Sequence, residues 1–204
     1  VWMSGRVRVI CARHPAGGGE VGCLGIHGPG RACWAGATRH GRNESVTKTG
    51  GAGAALETAD HPFLRRLRNR HCPIVTSVNG PAAGAGMSFA LMGDMILCAR
   101  SAYFLQAFRR IGLVPDCGST WLLPRLIGKA RSVELSLMGE RLPAEKALEW
   151  GLVNRVYDDA ALMEETMRLA HTLAPGPTVT LSLLPNIHWY SPHTPLQDHP
   201  TIAS

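Results

Sequence analysis

Long apolar runs are missing from this 204-residue chain. Runs such as Met95-Ile96-Leu97-Cys98-Ala99 are far too short to cross a bilayer, so no membrane span is expected. Metal-ligand spacing is missing as well. The six cysteines, at 11, 23, 33, 72, 98 and 117, form no C-x-x-C, and none pairs with a histidine at zinc-ligand spacing. The nine histidines make no H-x-x-x-H or similar cluster. No metal site is expected. The cysteines, several of them inside apolar runs, read as reduced thiols of a cytosolic protein. Charge is also scarce, at 18% against 45% hydrophobic residues, which argues for a globular chain and against disorder. The first twenty residues lack the apolar segment of a secretory signal. They carry Arg6, Arg8 and Arg13 with no acid before Glu20, a composition that also suits an organellar transit peptide, and the expected location is the cytoplasm.

What charge there is leans positive, with a net +6. Much of it comes from Arg65, Arg66, Arg68 and Arg70, with Arg39 and Arg42 upstream. A basic surface attracts polyanions, either nucleic acid or a phosphorylated cofactor. No aromatic interleaving, zinc finger or RNP-like motif accompanies these arginines, so they read as a solvated helix face. No nucleic-acid partner is expected.

Three stretches follow from the punctuation. Residues 1–20 read as irregular, because Pro15 and Gly17-Gly18-Gly19 interrupt any element. Residues 21–175 alternate strand and helix patterns, the mark of an α/β domain with partly parallel pairing. Strands are expected at 21–26, 73–78, 95–99 and 152–156. Helices are expected from Asp60 and near 119–127, 130–138, 143–150 and 159–173. The almost wholly apolar run from Met87 to Met92 must be a buried helix. Residues 176–204 pass through Pro177, Pro185, Pro192, Pro195 and Pro200 without helical periodicity, and read as a poorly ordered tail.

The most informative stretch is strand, glycine-rich loop and buried helix over residues 74–92. Small residues there allow close backbone approach, and a helix start offers amides without partners. A dinucleotide fingerprint is not met, because Gly84-Ala85-Gly86 runs into Met87-Ser88-Phe89 with no third glycine. A phosphate loop is not met either, because no lysine follows. Close packing of a buried helix explains the glycines equally well.

Taken together, several motifs in order carry a resemblance. Val78-Asn79-Gly80-Pro81-Ala82-Ala83-Gly84-Ala85-Gly86 with Met92-Gly93-Asp94 resembles the central block of the crotonase (enoyl-CoA hydratase/isomerase) superfamily. Upstream, Gly30-Arg31-Ala32-Cys33-Trp34-Ala35-Gly36-Ala37 resembles that family's G-R-x-F-C-A-G-x-D segment. Downstream, Phe104 to Phe108, Ile111 to Gly118, Leu123 to Gly128 and Ala144 to Val153 continue it. The Gly-Leu-Val-Pro-Asp variant at 112–116 most resembles the PaaG branch, the ring-1,2-epoxyphenylacetyl-CoA isomerases. The resemblance implies a crotonase-like ββα spiral core, shortened at both ends. It also implies an acyl-CoA substrate, no cofactor beyond the CoA that belongs to the substrate, and a homo-oligomer, trimer or hexamer.

By the same resemblance, the backbone amides of Ala37 and Ala85 form the oxyanion hole, and Ala35, Gly36, Ala37, Gly84, Ala85 and Gly86 line the thioester. Two preorganised donors stabilise the oxyanion of an enolate, and alanine serves because the donors are backbone groups. The two glutamates that hydratases of the family use fall on Ser88 and Phe108, which cannot act as carboxylate bases. Asp116 takes the position of the branch's acid/base. One carboxylate can lift a proton beside the thioester and return it elsewhere, which favours isomerisation over hydration. By its residues alone, Asp116 is also an ordinary turn aspartate after Pro115. The chain departs from the pattern at Thr38, where the family has aspartate. The family's early strands are not recognisable in residues 1–20, and its C-terminal helices are replaced by the proline-rich tail. The expected function is an acyl-CoA isomerase of phenylacetate or fatty-acid catabolism. A hydratase or a catalytically inactive acyl-CoA-binding relative are the alternatives.

Overall fold

Two small sheets share the chain between them, and the backbone passes from one to the other as it advances. The computed structural model describes residues 7–11, 23–24, 33–34, 64–65 and 73–191. The strands are β1 (Val7–Cys11), β2 (Cys23–Leu24), β3 (Cys33–Trp34), β4 (Ile74–Val78), β5 (Pro81–Ala83), β6 (Met95–Ala99), β7 (Tyr103–Leu105), β8 (Arg141–Pro143) and β9 (Arg155–Tyr157). The helices are α1 (Ala85–Ala90), α2 (Ser119–Ile127), α3 (Lys129–Met138), α4 (Ala144–Glu149), α5 (Leu162–Leu173) and α6 (Thr178–Tyr190), with a 3-10 turn at Phe108–Ile111. One sheet runs β2-β1-β4-β6-β9 and the other β3-β5-β7-β8. β4, β6 and β9 are mutually parallel, as are β3, β5 and β7. Successive pairs β4/β5 and β6/β7 each place one strand in each sheet, which is the ββα spiral that the resemblance implies.

Burial explains the composition. Every residue of β4 is buried, as a strand covered on both faces requires. α1 is buried along its whole length because it packs against β1 and β4 of one sheet and β3 and β5 of the other, so no polar stripe is possible. Its own Met87 and Phe89, with Leu97 of β6 and Phe104 of β7, are among the largest fully buried side chains. α5 covers the other side, where Thr166 Oγ1 donates to Ser77 Oγ at 3.3 Å.

The Met92-Gly93-Asp94 motif is structural. A side chain at Gly93 would bring a Cβ within 2.5 Å of Thr76 Oγ1, the hydroxyl that donates to Ala90 O at 2.9 Å. The Asp94 carboxylate accepts from the Ile74 amide at 2.7 Å, while the Asp94 amide donates to Ile74 O at 2.9 Å. The pair therefore fastens the turn after α1 to the start of β4.

Two expectations need correction. Residues 1–20 are not irregular throughout, since β1 pairs antiparallel with β4 from Val7↔Val78 to Cys11↔Ile74. Val7, Val9 and Ile10 supply the β-branched run, and the proline and glycine signals lie beyond its end. The segment from 176 is not a structureless tail either, because Thr178–Tyr190 is helical. Pro177 precedes the first turn, where proline is tolerated, and Pro192 comes in the sequence after the last. Only Pro185 lies inside. Residues 192–204 lie outside the described residues.

Candidate active site

The glycine-rich loop is a hinge between β5 and α1. Gly84 has φ +56 and ψ −129, a backbone conformation that a residue with a Cβ rarely adopts. Its amide is used by the second sheet, donating to Leu105 O at 2.9 Å. The Met87 and Ser88 amides turn back onto Gly84 O, at 3.0 and 3.3 Å. Between them, the amides of Ala85 and Gly86 stand ahead of the i→i−4 ladder, where a helix supplies no acceptor. The Ala85 amide therefore has no acceptor within its own helix.

The partner donor, Ala37, and its neighbours Ala35, Gly36 and Thr38 lie outside the described residues. What is described is the strand before them. β3 lies parallel to β5 with Cys33↔Ala82 and Trp34↔Ala83, so the backbone leaves both strands at the same edge.

Phe108 and Ser88, the two positions at which the resemblance leads one to look for hydratase glutamates, both adjoin this hinge. The ring of Phe108, buried, lies 3.7 Å from where a Cβ on Gly84 would stand. Ser88, fully buried on α1, donates from Oγ to the Asp116 carbonyl at 3.2 Å. The same carbonyl accepts the Ser119 amide at 3.0 Å. Asp116 is thereby held against α1 by its backbone, and its Oδ1 is buried. The next residue, Cys117, sits in the left-handed region at φ 52, followed by Gly118 at φ 78. Left-handed backbone at a non-glycine residue is uncommon, and it is what turns the chain from Pro115 into α2. Gly84, Ala85, Ser88, Phe108 and Asp116 therefore converge, although they are spread over some thirty residues.

Two features escape a reading of the sequence. One is a cavity of about 270 Å³ whose apolar wall includes Leu64, Met92, Cys117, Trp121, Leu122 and Trp189. Trp121 and Trp189 stack with ring centroids 4.9 Å apart, joining α2 to α6, and the Arg125 guanidinium lies 3.9 Å above Trp121. Because Trp189 belongs to the segment expected to be a tail, this wall was invisible in sequence. The other is the fully buried Gln106, which donates from Nε2 to Ser119 Oγ at 2.7 Å. Its only signal is one polar residue inside Phe104-Leu105-Gln106-Ala107-Phe108.

Among the described residues no group of three His, Cys, Asp or Glu is placed to hold a metal ion. No helix among them is long and apolar enough to cross a membrane. The Cys98 thiol on β6 is pushed up to about 12 by burial and secondarily by the Glu145 charge, so it is chemically quiet.

A model of the family described as enoyl-CoA hydratase/isomerase matches residues 26–188. The chain belongs to that family. Its fold is crotonase-like. An enoyl-CoA hydratase/isomerase from Cupriavidus metallidurans CH34 superposes with a TM-score of 0.74 at 30% identity, over 87% of this chain and 66% of that one. The chain is 46% identical to the 1,2-epoxyphenylacetyl-CoA isomerase of Escherichia coli (strain K12) over 167 residues, which is 80% of this chain but 63% of that protein. It is 35% identical over 181 residues to a probable enoyl-CoA hydratase of Rhodobacter capsulatus, 87% of this chain and 67% of that protein. The family match extends into α6, in keeping with a helix there rather than a tail. The names of these relatives divide between isomerase and hydratase.

Proposed function

We propose that the chain is an acyl-CoA isomerase that shifts a proton on, or rearranges, an unsaturated or ring-epoxide acyl-CoA through a thioester enolate. The observation that carries this reading is the Ser88 Oγ contact to the Asp116 carbonyl. It brings a carboxylate-bearing loop to the hinge while a hydroxyl and a phenyl ring occupy the positions of the hydratase glutamates. Hydration needs groups that hold and activate water, whereas a 1,3-shift needs one base that keeps its proton. Asp116 takes a proton from the carbon beside the thioester and delivers it two carbons along, and the double bond moves into conjugation. The Ala85 and Ala37 amides hold the enolate oxygen, each such donor contributing roughly 2.7–4 kcal/mol in the transition state. The reaction needs no metal or redox cofactor, because the thioester itself acidifies the adjacent carbon.

The wider expectations belong to the same reading. The 46% identical isomerase favours phenylacetate breakdown over general fatty-acid catabolism. A cytoplasmic enzyme without nucleic-acid or membrane partners is consistent with the chemistry. A homo-oligomer is supported by the exposed apolar side chains Val133, Leu137 and Met138 on α3 and Leu113 and Val114 before Asp116.

The test is turnover of a 3-enoyl-CoA, read as the absorbance gained on conjugation, beside an Asp116→Asn sample. Turnover in the parent and its loss in the variant support the proposal. Hydration of a 2-enoyl-CoA without isomerisation would favour the hydratase. Acyl-CoA binding with neither reaction would indicate the inactive relative.

A further inference from the structure

Gln106 is the largest buried polar side chain among the described residues. Its Nε2 donates to Ser119 Oγ at 2.7 Å and lies 3.5 Å from Met87 Sδ, while Oε1 is buried with no donor among the described residues. A buried acceptor without a donor carries a desolvation cost that an apolar side chain of the same shape avoids. Core stability therefore does not account for a glutamine here.

Its place in the chain does. Gln106 follows the last residue of β7, and Ser119 is the first residue of α2, thirteen positions on. Between them runs the loop that carries Phe108 and Asp116. The outer part of that loop has little packing, since Ile111, Leu113 and Val114 are exposed. Its last turn is held in the left-handed conformation at Cys117. Such conformations persist only where the surroundings enforce them. The Gln106–Ser119 bond closes the loop at its base. Ser119 in turn gives its amide to the Asp116 carbonyl. One side chain is thus tied to the backbone of the candidate base through a single intermediary.

We propose that Gln106 is a positioning residue for Asp116, clasping the two ends of the loop so that the carboxylate stays at the hinge of α1. This rests on the reading of Asp116 as the acid/base. Replacing Gln106 by methionine keeps the volume, removes the orphaned acceptor and opens the clasp. The expected result is divergence of two properties that usually move together, with activity falling while stability holds.

The experiment compares parent, Gln106→Met, Ser119→Ala, the double variant and Asp116→Asn. In Q106M, kcat for 3-enoyl-CoA isomerisation falls about tenfold or more, as slight misplacement of a catalytic group can bring. KM stays within about twofold and the thermal midpoint changes little, because removal of the orphaned Oε1 offsets the loss of the Nε2 partner by the buried Ser119 hydroxyl. The double variant is no slower than the worse single one, because both remove the same bond. A second readout needs no turnover. Cys117, buried beside Asp116, is alkylated by iodoacetamide at least about tenfold faster in Q106M and S119A, with Cys98 unchanged as the internal reference. Parent kcat in Q106M, a kcat loss that tracks a lowered midpoint, or unchanged Cys117 protection in both variants overturns the proposal. Parent turnover in D116N overturns the Asp116 reading instead, and the Cys117 rates then still decide whether Gln106 holds the loop.

Discussion

The candidate site is made where two unlike segments meet. The first, β4 to α1, is buried along nearly its whole length and shaped by small residues, with Gly84 set by its backbone angles and Gly93 by the nearness of Thr76. The second, residues 106–119, is buried at its ends and exposed in its middle, and depends on a few hydrogen bonds for its course. The first is fixed by packing, which tolerates little, and offers only backbone groups to a substrate. The second carries the carboxylate and is fixed by polar contacts that can be removed one at a time. Changes in the first should cost fold and activity together, whereas changes in the second should separate them.

Asp116→Asn makes the sharpest separation. Amide and carboxylate have nearly the same shape, so the loop and its bonds through the Asp116 carbonyl are retained while the proton carrier is lost. Isomerase kcat is expected to fall by about 10²–10⁴-fold, with a thermal midpoint close to the parent's. A large drop in midpoint would show that the carboxylate holds the loop and would weaken the contrast between the segments.

In the first segment the opposite pattern is expected. Gly84→Ala places a Cβ on a backbone at φ +56, where the strain amounts to about 1–3 kcal/mol. The nearest ring atom would be 3.7 Å away, so the penalty comes from the backbone and not from collision. Gly93→Ala meets Thr76 Oγ1 at 2.5 Å, and overpacking of this kind costs about 1–3 kcal/mol. Denaturant titration reads both. Stability near the parent's in either variant would mean that the hinge is softer than its geometry indicates.

The same contrast explains what could be read in advance. Segments in which one pattern dominated were legible: Met95–Ala99, an unbroken apolar run that is almost wholly buried, is a strand with those bounds, and Ser119–Ile127, which buries Ser119, Leu122, Leu123 and Ile127 at helical spacing, is a helix with those bounds. Asp116, Ala85, Ser88 and Phe108 could be singled out only through their place in a motif, and nothing in residue type alone separates Asp116 from a turn aspartate. β1 was hidden because Arg8 and the nearby glycines outweighed a short β-branched run whose strand character comes from pairing with β4, about seventy residues away. α6 was hidden because it is apolar on many sides and holds Pro185, so neither stripe nor proline rule could reveal a helix that tertiary contacts such as Trp189 on Trp121 support. The Gln106–Ser119 clasp was invisible because it exists only once the loop has closed.

Alkaline pH offers a smaller test of the packed side. The Cys98 thiol on β6 has a folded value near 12 against an ordinary 9.0, so the folded chain keeps a proton that the unfolded chain releases. This contribution is therefore fully present below about pH 9 and is lost as pH rises from there toward 12, with a limiting slope of about 1.4 kcal/mol per pH unit. Cys98→Ala should flatten that part of the stability profile. An unchanged slope would place the alkaline loss elsewhere, on Lys or Tyr side chains.

Ser88→Ala gives the smallest effect and bears on both segments at once, because Ser88 belongs to α1 and its partner to the loop. Removing Oγ deletes the 3.2 Å contact to the Asp116 carbonyl, but that carbonyl keeps the Ser119 amide at 3.0 Å, so no buried acceptor is stranded. The cost to stability should accordingly lie within the net range of one hydrogen bond, about 0.5–1.5 kcal/mol. Activity should fall more than that figure alone implies, since the contact is what fastens the carboxylate's backbone to the helix bearing the Ala85 amide. Stopped-flow turnover beside a urea melt of the same sample reads the ratio. A kcat unchanged in S88A would mean that the loop finds its place through the Gln106–Ser119 clasp alone, and that the two segments are joined at the loop's base and not across its middle.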